Sequence, residues 1–191
     1  ALRSRRIRLM LWSLPVVAFI VAAIVGPMIT EYNPVQVRLP DRLESPGTIT
    51  SDGSRAWLGT DQVGQDVLAQ VLQGARVSLL VGASTILIAG TIGLVLGTIA
   101  GYQGGWVDIV LMRLADIQLA FPSILLAILI AAVLGPSILN VILALALTRW
   151  VTFGRVARAA TLAAKERDYV LAARSMGADS TRLLLRHIVP S

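Results

Sequence analysis

Between Val77 and Tyr102 the chain carries no charged side chain. A run of this length exceeds the roughly 20 apolar residues that cross a bilayer's hydrocarbon core. In lipid every backbone N–H and C=O must be satisfied within the segment, so such a run folds as a helix. Leu9 to Met28 is likewise free of charge and directly follows Arg3, Arg5, Arg6 and Arg8. A third apolar stretch runs from about Val107 to Leu134 with Pro122 inside it, and a fourth from about Ile138 to Val151. The expectation is an all-α integral membrane protein, a polytopic helical bundle with four spans. Composition agrees, with 55% hydrophobic residues and a mean hydropathy of +0.75 against roughly 45–50% apolar residues in soluble domains.

The formal charge is +6, yet Lys165 is the only lysine and the arginines sit beside the apolar runs. That distribution speaks of topology rather than nucleic-acid binding. Arginines kept on the cytoplasmic side place the amino terminus inside, residues 29–76 outside, Gln103 to Trp106 inside, Gly135 to Ser137 outside and everything from Thr152 inside. The tail fits, with Arg155, Arg158, Lys165, Arg167, Arg174, Arg182 and Arg186, whereas the outer segment mixes Arg38, Arg42, Arg55 and Arg76 with six acids. The first apolar run reads as a retained span rather than a cleaved secretory signal, because Gly26-Pro27-Met28 is a poor small-x-small cleavage site. The organisation is therefore a cytoplasmic start with the first span (1–28), an external segment (29–76), and a core of three spans with cytoplasmic helices (77–191). Further spans are expected beyond Pro190-Ser191. The absence of cysteine excludes disulfides, thiol catalysis and zinc–thiolate sites.

Several intramembrane features invite two readings. Gly93, Gly97 and Gly101 recur every fourth residue on one helical face, a pattern for close helix packing, with a substrate path as the alternative. Arg113 and Asp116, one turn apart, form the expected intramembrane charge pair, either locking the cytoplasmic end of the bundle or relaying protons. Only that third span carries charge in its interior on this reading. Pro122 removes a helical hydrogen bond and predicts a bend.

In the outer segment Pro34, Pro40, Pro46, Gly47, Gly53 and Gly59 predict irregular structure. Trp57 to Asp66 then leads into Val67, Leu68, Val71 and Leu72 at helical spacing, which predicts a short interfacial helix before Gly74-Ala75-Arg76 opens the second span. Asp61 and Asp66 read as capping residues; their spacing lacks the alternating oxygen ligands of a calcium loop, and no metal site is expected.

Beyond the fourth span, Tyr169, Ala172, Ala173 and Met176 share one face of a predicted amphipathic helix from Ala164 to Met176. Gly177 fits its C-cap, and Asp179 or Ser180 caps a second helix, Thr181 to Val189, with Leu184, Leu185 and Ile188 against Arg182 and Arg186. Such a pair either docks in a partner's groove or rests on the membrane surface.

This segment resembles the EAA loop of the membrane subunits of binding-protein-dependent ABC importers: Glu-Ala-Ala, three residues, Gly, nine residues, an apolar position, one residue, then Leu-Pro. Ala172, Ala173, Gly177 and Pro190 stand at matching positions, with Leu171 in place of the glutamate, His187 at the apolar position and Val189 at the leucine. The outer segment narrows the resemblance. Leu58-Gly59-Thr60-Asp61, Gly64, Asp66, Gly74-Ala75-Arg76, Gly101-Tyr102, Gly104-Gly105-Trp106, Asp108, Met112-Arg113, Asp116 and Ala120-Phe121-Pro122 are similar to the second membrane subunit of dipeptide, oligopeptide and nickel importers.

The resemblance implies a helical bundle of the type I ABC importer permease kind in a bacterial or archaeal cytoplasmic membrane. It implies a homologous second permease subunit, two cytoplasmic ATPase subunits carrying ATP and Mg, and an extracytoplasmic solute-binding protein. Tyr169, Leu171, Ala172, Ala173, Met176, Gly177, Ala178, Arg182, Arg186 and Pro190 become the ATPase-coupling residues. Peptides are the expected cargo, nickel or another small solute the alternative. No phosphate-binding Gly-x-x-x-x-Gly-Lys-[Ser/Thr] loop is present, so no cofactor and no enzymatic activity are expected on this chain. A stand-alone ion-coupled transporter using Arg113 and Asp116 is the runner-up. A membrane enzyme lacks a constellation, since His187 is the only histidine.

Overall fold

The computed structural model describes residues 2–29 and 37–189. It consists of α1 (Leu2–Ile29), α2 (Val67–Gln103), α3 (Gly105–Leu119), α4 (Ser123–Leu134), α5 (Ile138–Lys165), α6 (Asp168–Ser175) and α7 (Ser180–Leu183), the last continued by a wide π-type turn over Leu184–Ile188. Between α1 and α2 lie a 3-10 turn, Leu39–Asp41, and a small antiparallel hairpin of β1 (Thr48–Ile49) and β2 (Arg55–Ala56). The chain divides into two compact units at Leu80/Val81, inside α2.

In the first unit, α1 packs Gly26 against Leu72, so close that a Cβ at Gly26 would meet Leu72 Cδ2 at 2.6 Å. The outer segment is irregular but densely bonded. Asp41, buried, accepts from the Ser51 backbone N–H (2.9 Å) and hydroxyl (2.6 Å), and the Thr60 hydroxyl donates to the Asp41 carbonyl. Arg38 pairs with Asp52, and its backbone N–H bonds the Val63 carbonyl at 2.9 Å. Gly64 sits at φ +77°, directly over the Arg38 carbonyl, where any side chain would collide. The predicted separate interfacial helix is not formed. Asp66 caps α2 by accepting from the N–H groups of Leu68 (2.7 Å) and Ala69 (3.2 Å), and the helix then runs unbroken through Gly74 and Arg76 to Gln103. One exposed glycine costs a helix only about 1 kcal/mol, too little to break it between long apolar flanks.

Among the described residues, α2 and α5 are each long and apolar enough to cross a bilayer. The expected third span is not one helix: α3 and α4 meet at a 90° bend at Phe121-Pro122, and they count as a further crossing only if taken as one broken span. Pro122 occupies the N-cap of α4, where its missing N–H costs nothing. The charge-free run Leu9 to Met28 lies within α1, and its described part, Trp12–Gly26, is an apolar helix. Among the described residues two helices meet that length, or three spans with the bent pair, and α1 holds the remaining charge-free run. The fourth predicted span, ending at Val151, in fact continues as α5 to Lys165, because Ala157, Thr161 and Ala164 prolong its buried face past the last apolar run.

In the second unit α4 and α5 form an antiparallel pair, and Asn140 closes the joint by donating to the Leu134 (2.7 Å) and Gly135 (3.1 Å) carbonyls. Gly93, Gly97 and Gly101 face Trp150, Gly154, Ala157, Arg158 and Thr161 in register, so α2 and α5 run parallel. A Cβ at Gly93 would lie 2.6 Å from the Trp150 carbonyl, and one at Gly101 2.8 Å from the Arg158 carbonyl. Small residues on both helices thus bring the two backbones together.

Candidate coupling site

α6 and α7 form a knuckle at the end of the bundle where α2 and α5 terminate. The reversal after α6 follows from Gly177, at φ +83°. Its N–H donates to the Arg174 carbonyl at 3.0 Å, and the Ala178 N–H reaches back to the Ala173 carbonyl at 3.1 Å. This is a Schellman closure, which needs a left-handed residue at that position. Beneath it Ala164, Val170, Ala173, Leu183 and Ile188 make a buried cluster, flanked by Tyr102, Ala178 and Leu184. The base of the knuckle is therefore packed onto the ends of α2 and α5.

The face predicted for α6 is divided. Ala173 is buried, and Val170, rather than Tyr169, packs beside it; Tyr169, Leu171 and Ala172 are exposed, and Met176 is 82% exposed. The physical reason is that α5 ends at Lys165 and α6 begins afresh at Asp168, which rotates the helix relative to one counted from Ala164. The second helix is shorter than the predicted Thr181–Val189. Ser180–Leu183 is α-helical, after which the Val189 N–H bonds the Leu184 carbonyl (2.9 Å) across a wider turn. Leu183 and Ile188 point inward, Arg182 and Arg186 outward. Pro190 and the side chains of Leu185 and His187 lie outside the described residues.

Charged side chains tie the same end together. Arg158 holds Asp108 of α3 with two bonds, and Lys165 donates to the Gly101 carbonyl at 3.3 Å, satisfying a carbonyl at the end of α2. The predicted pair of Arg113 with Asp116 is not formed. Asp116 is held by Arg155 of α5 at 2.6 Å, while Arg113 is exposed and forms no ion pair among the described residues. An acid on α3 meets its partner across the helix interface rather than along its own turn because α5 carries arginines along its α3-facing side. The third span is accordingly not the only one charged in its interior: Arg149, Arg155 and Arg158 all lie within α5.

Gln118 escaped the sequence reading. Its amide donates to the Leu147 (2.9 Å) and Thr148 (3.0 Å) carbonyls and accepts from the Trp150 indole N–H (2.9 Å), locking α3 against α5. A glutamine amid apolar residues was the available signal. In the outer motif, Asp61 accepts from the backbone N–H groups of Val63 (2.9 Å) and Gln65 (2.8 Å) and from the Gln70 amide (2.9 Å), and Thr60 exchanges bonds with Glu44. These bonds hold the carboxyl of Asp61 below the usual carboxylate range, the Gln70 amide contributing most. Gly59 lies against the Glu44 carbonyl. The motif is brought together as a structural clasp on the start of α2, with Gly74 and Arg76 exposed two and more turns beyond it.

Long apolar helices, a broken third element and a capped helical knuckle at one end define a multi-pass helical membrane protein. The chain belongs to the binding-protein-dependent transport system inner membrane component family, whose model matches residues 93–191. The fold is thus all-α and of the type I ABC importer permease kind. The chain is 38% identical over 176 residues to the dipeptide transport system permease protein DppC of Alkalihalophilus pseudofirmus, covering 92% of this chain and 56% of that protein. It is 43% identical over 137 residues to the glutathione transport system permease protein GsiD of Pectobacterium atrosepticum, covering 72% and 46%. It is 35% identical over 182 residues to the nickel transport system permease protein NikC of Escherichia coli, covering 93% and 64%. The chain thus spans about half to two thirds of the length of these relatives.

Proposed function

We propose that the chain is a pore-forming permease subunit of an ATP-driven importer of short peptides, working beside a homologous second permease subunit. Its external partner is a solute-binding protein, and its energy comes from two cytoplasmic ATPase subunits that carry ATP and Mg. The amino terminus lies inside. The observation that carries this reading is the knuckle: Tyr169, Leu171, Ala172 and Met176 are presented to water on a base of Val170, Ala173, Leu183 and Ile188 that is packed onto the transmembrane helices. An apolar surface so placed is suited to a partner's groove, and its rigid attachment passes a push from the partner into α5. Closure of the ATPases shifts the knuckle, and the helices convert that shift into alternating access. Peptide as cargo is supported by the dipeptide and glutathione permeases among the relatives; the nickel permease supports a nickel importer as the second reading.

The test is a cysteine at Met176 in the full-length protein, crosslinked in native membranes, together with ATP-dependent uptake of a dipeptide or of nickel in proteoliposomes. Capture of an ATPase subunit and peptide uptake are expected. Failure to trap any ATPase overturns the coupling role, and uptake of nickel without peptide moves the cargo to the second reading.

A further inference from the structure

Arg149 is the twelfth residue of α5, about 16 Å along the helix from Ile138 at 1.5 Å per residue, or roughly half of a 30 Å hydrocarbon core. An arginine at that depth is costly and, where it is kept, faces an interior path or a partner. Its charge is permanent, and among the described residues it makes no hydrogen bond and no ion pair.

It is set into open space. A cavity of about 390 Å³ lies between α2 and α5, lined by Thr85, Ile86, Leu145, Arg149, Thr152 and Phe153. A second, of about 310 Å³, lies between α4 and α5 and shares Arg149. The first cavity opens immediately beyond the contact of Gly93 with Phe153 and Gly154, where the two helices separate. No acid lines either cavity. The Thr85 hydroxyl, on a residue only 8% exposed, has no hydrogen-bond partner. A buried hydroxyl left unsatisfied is destabilising, and a helical threonine ordinarily avoids this by bonding the preceding turn, as Thr161 does to Ala157.

We propose that Arg149, with the hydroxyls of Thr85 and Thr152, binds the carboxylate of the transported solute midway across the membrane. This rests on the importer reading above and deepens it. A guanidinium fork presents paired donors matched to a carboxylate, and the flanking hydroxyls supply further donors. A cavity of this size falls at the lower end of small-molecule sites. Lipid phosphate is a poorer match, because headgroups lie about 15 Å away at the surface of a 30 Å core. The apolar remainder of the lining, Ile86, Leu145 and Phe153, offers no side-chain selectivity beyond volume. Such a site grips the one group that every unmodified peptide has at its carboxyl end.

The experiment uses the full-length protein with its second permease subunit, ATPases and binding protein in proteoliposomes, with trialanine and its carboxyl-terminal amide as cargo. Because the same binding protein serves every variant, the ratio of variant to wild type for each cargo cancels its own preference. Arg149→Gln is expected to lower trialanine uptake about tenfold while leaving the amide within twofold, and Arg149→Lys to retain most trialanine uptake. Equal falls for acid and amide, no fall, or Arg149→Lys as impaired as Arg149→Gln overturns the site. A variant complex that no longer co-purifies with its partner permease also overturns it, by placing the arginine's counter-charge on that subunit. Where the wild type does not carry the amide, the contrast of Arg149→Lys with Arg149→Gln decides alone. Absence of ATP-dependent trialanine uptake by the wild type overturns the peptide reading itself, a result separate from all of these.

Discussion

Arg158 of α5 grips Asp108 of α3 in a two-pronged pair, Nε to Oδ1 and Nη2 to Oδ2, each 2.5 Å. The two residues are fifty positions apart in sequence and both are mostly shielded. Together with Arg155–Asp116 and the Gln118 contacts, the pair fixes the antiparallel register of α3 on α5. Removing one partner strands the other, so Arg158→Met is expected to destabilise the protein by roughly 2 kcal/mol, the scale of a charge-assisted hydrogen bond. Melting of the purified protein in detergent checks this. The double change Asp108→Leu with Arg158→Met is expected to recover part of the loss, because no unpaired charge remains.

The glycine seam predicts a sharp positional contrast. Gly97→Val puts a side chain into the Gly154 carbonyl and the Ala157 methyl, and is expected to abolish folded yield. Gly90→Ala meets nothing within 4 Å and is expected to stabilise α2 by up to about 1 kcal/mol through helix propensity. Yield on size exclusion and the melting midpoint of the two variants are the measurements.

At the knuckle, substitutions separate base from surface. Gly177→Pro cannot adopt φ +83°, and Ala173→Glu buries a carboxylate in the cluster, so both are expected to uncouple ATP hydrolysis from uptake by deforming the element. Met176→Glu alters only an exposed contact and is expected to weaken ATPase co-purification while leaving the melting midpoint unchanged. Equal loss of thermal stability in Met176→Glu would count against a docking surface there.

The outer segment is expected to loosen in acid. Arg38 above all, then the hydroxyls of Thr50 and Ser54, holds the Asp52 carboxyl well below the usual carboxylate range; Gln70 and the Gln65 N–H lower Asp61. A carboxyl that binds protons more weakly when folded lends stability that is complete above the unfolded value of about 3.9 and is lost as pH falls through the folded value. Amide exchange over residues 38–66, corrected for its intrinsic pH dependence, is expected to stay slow from pH 7 to about 4 and to rise below that. Asp52→Asn with Asp61→Asn is expected to flatten the profile by removing both groups.

How far the sequence could be read follows from which interactions are local. Helical identity, the Gly177 turn and the Asp66 cap depend on neighbours within a few residues, and these are written in the order of the chain. The glycine stripe was visible as a face, but its opposite number, Gly154 to Thr161, needed the parallel pairing of α2 with α5. Arg113 and Asp116 misled because a helical turn is only one way to neutralise a charge; Arg155, thirty-nine residues on, supplied the other. Arg149 was overlooked because it follows eleven uncharged residues of α5 and precedes a bulky tryptophan, so the whole segment reads as apolar.

The contact of Gly93, Gly97 and Gly101 with α5 leaves no side chain to act as a bearing between the two backbones. Neither helix can roll or slip past its neighbour there without collision, so along Trp150 to Thr161, about 16 Å at 1.5 Å per residue, α2 and α5 travel together. Displacement applied at the foot of this pair beside Ala164 is delivered to the level of Arg149, where the two helices part.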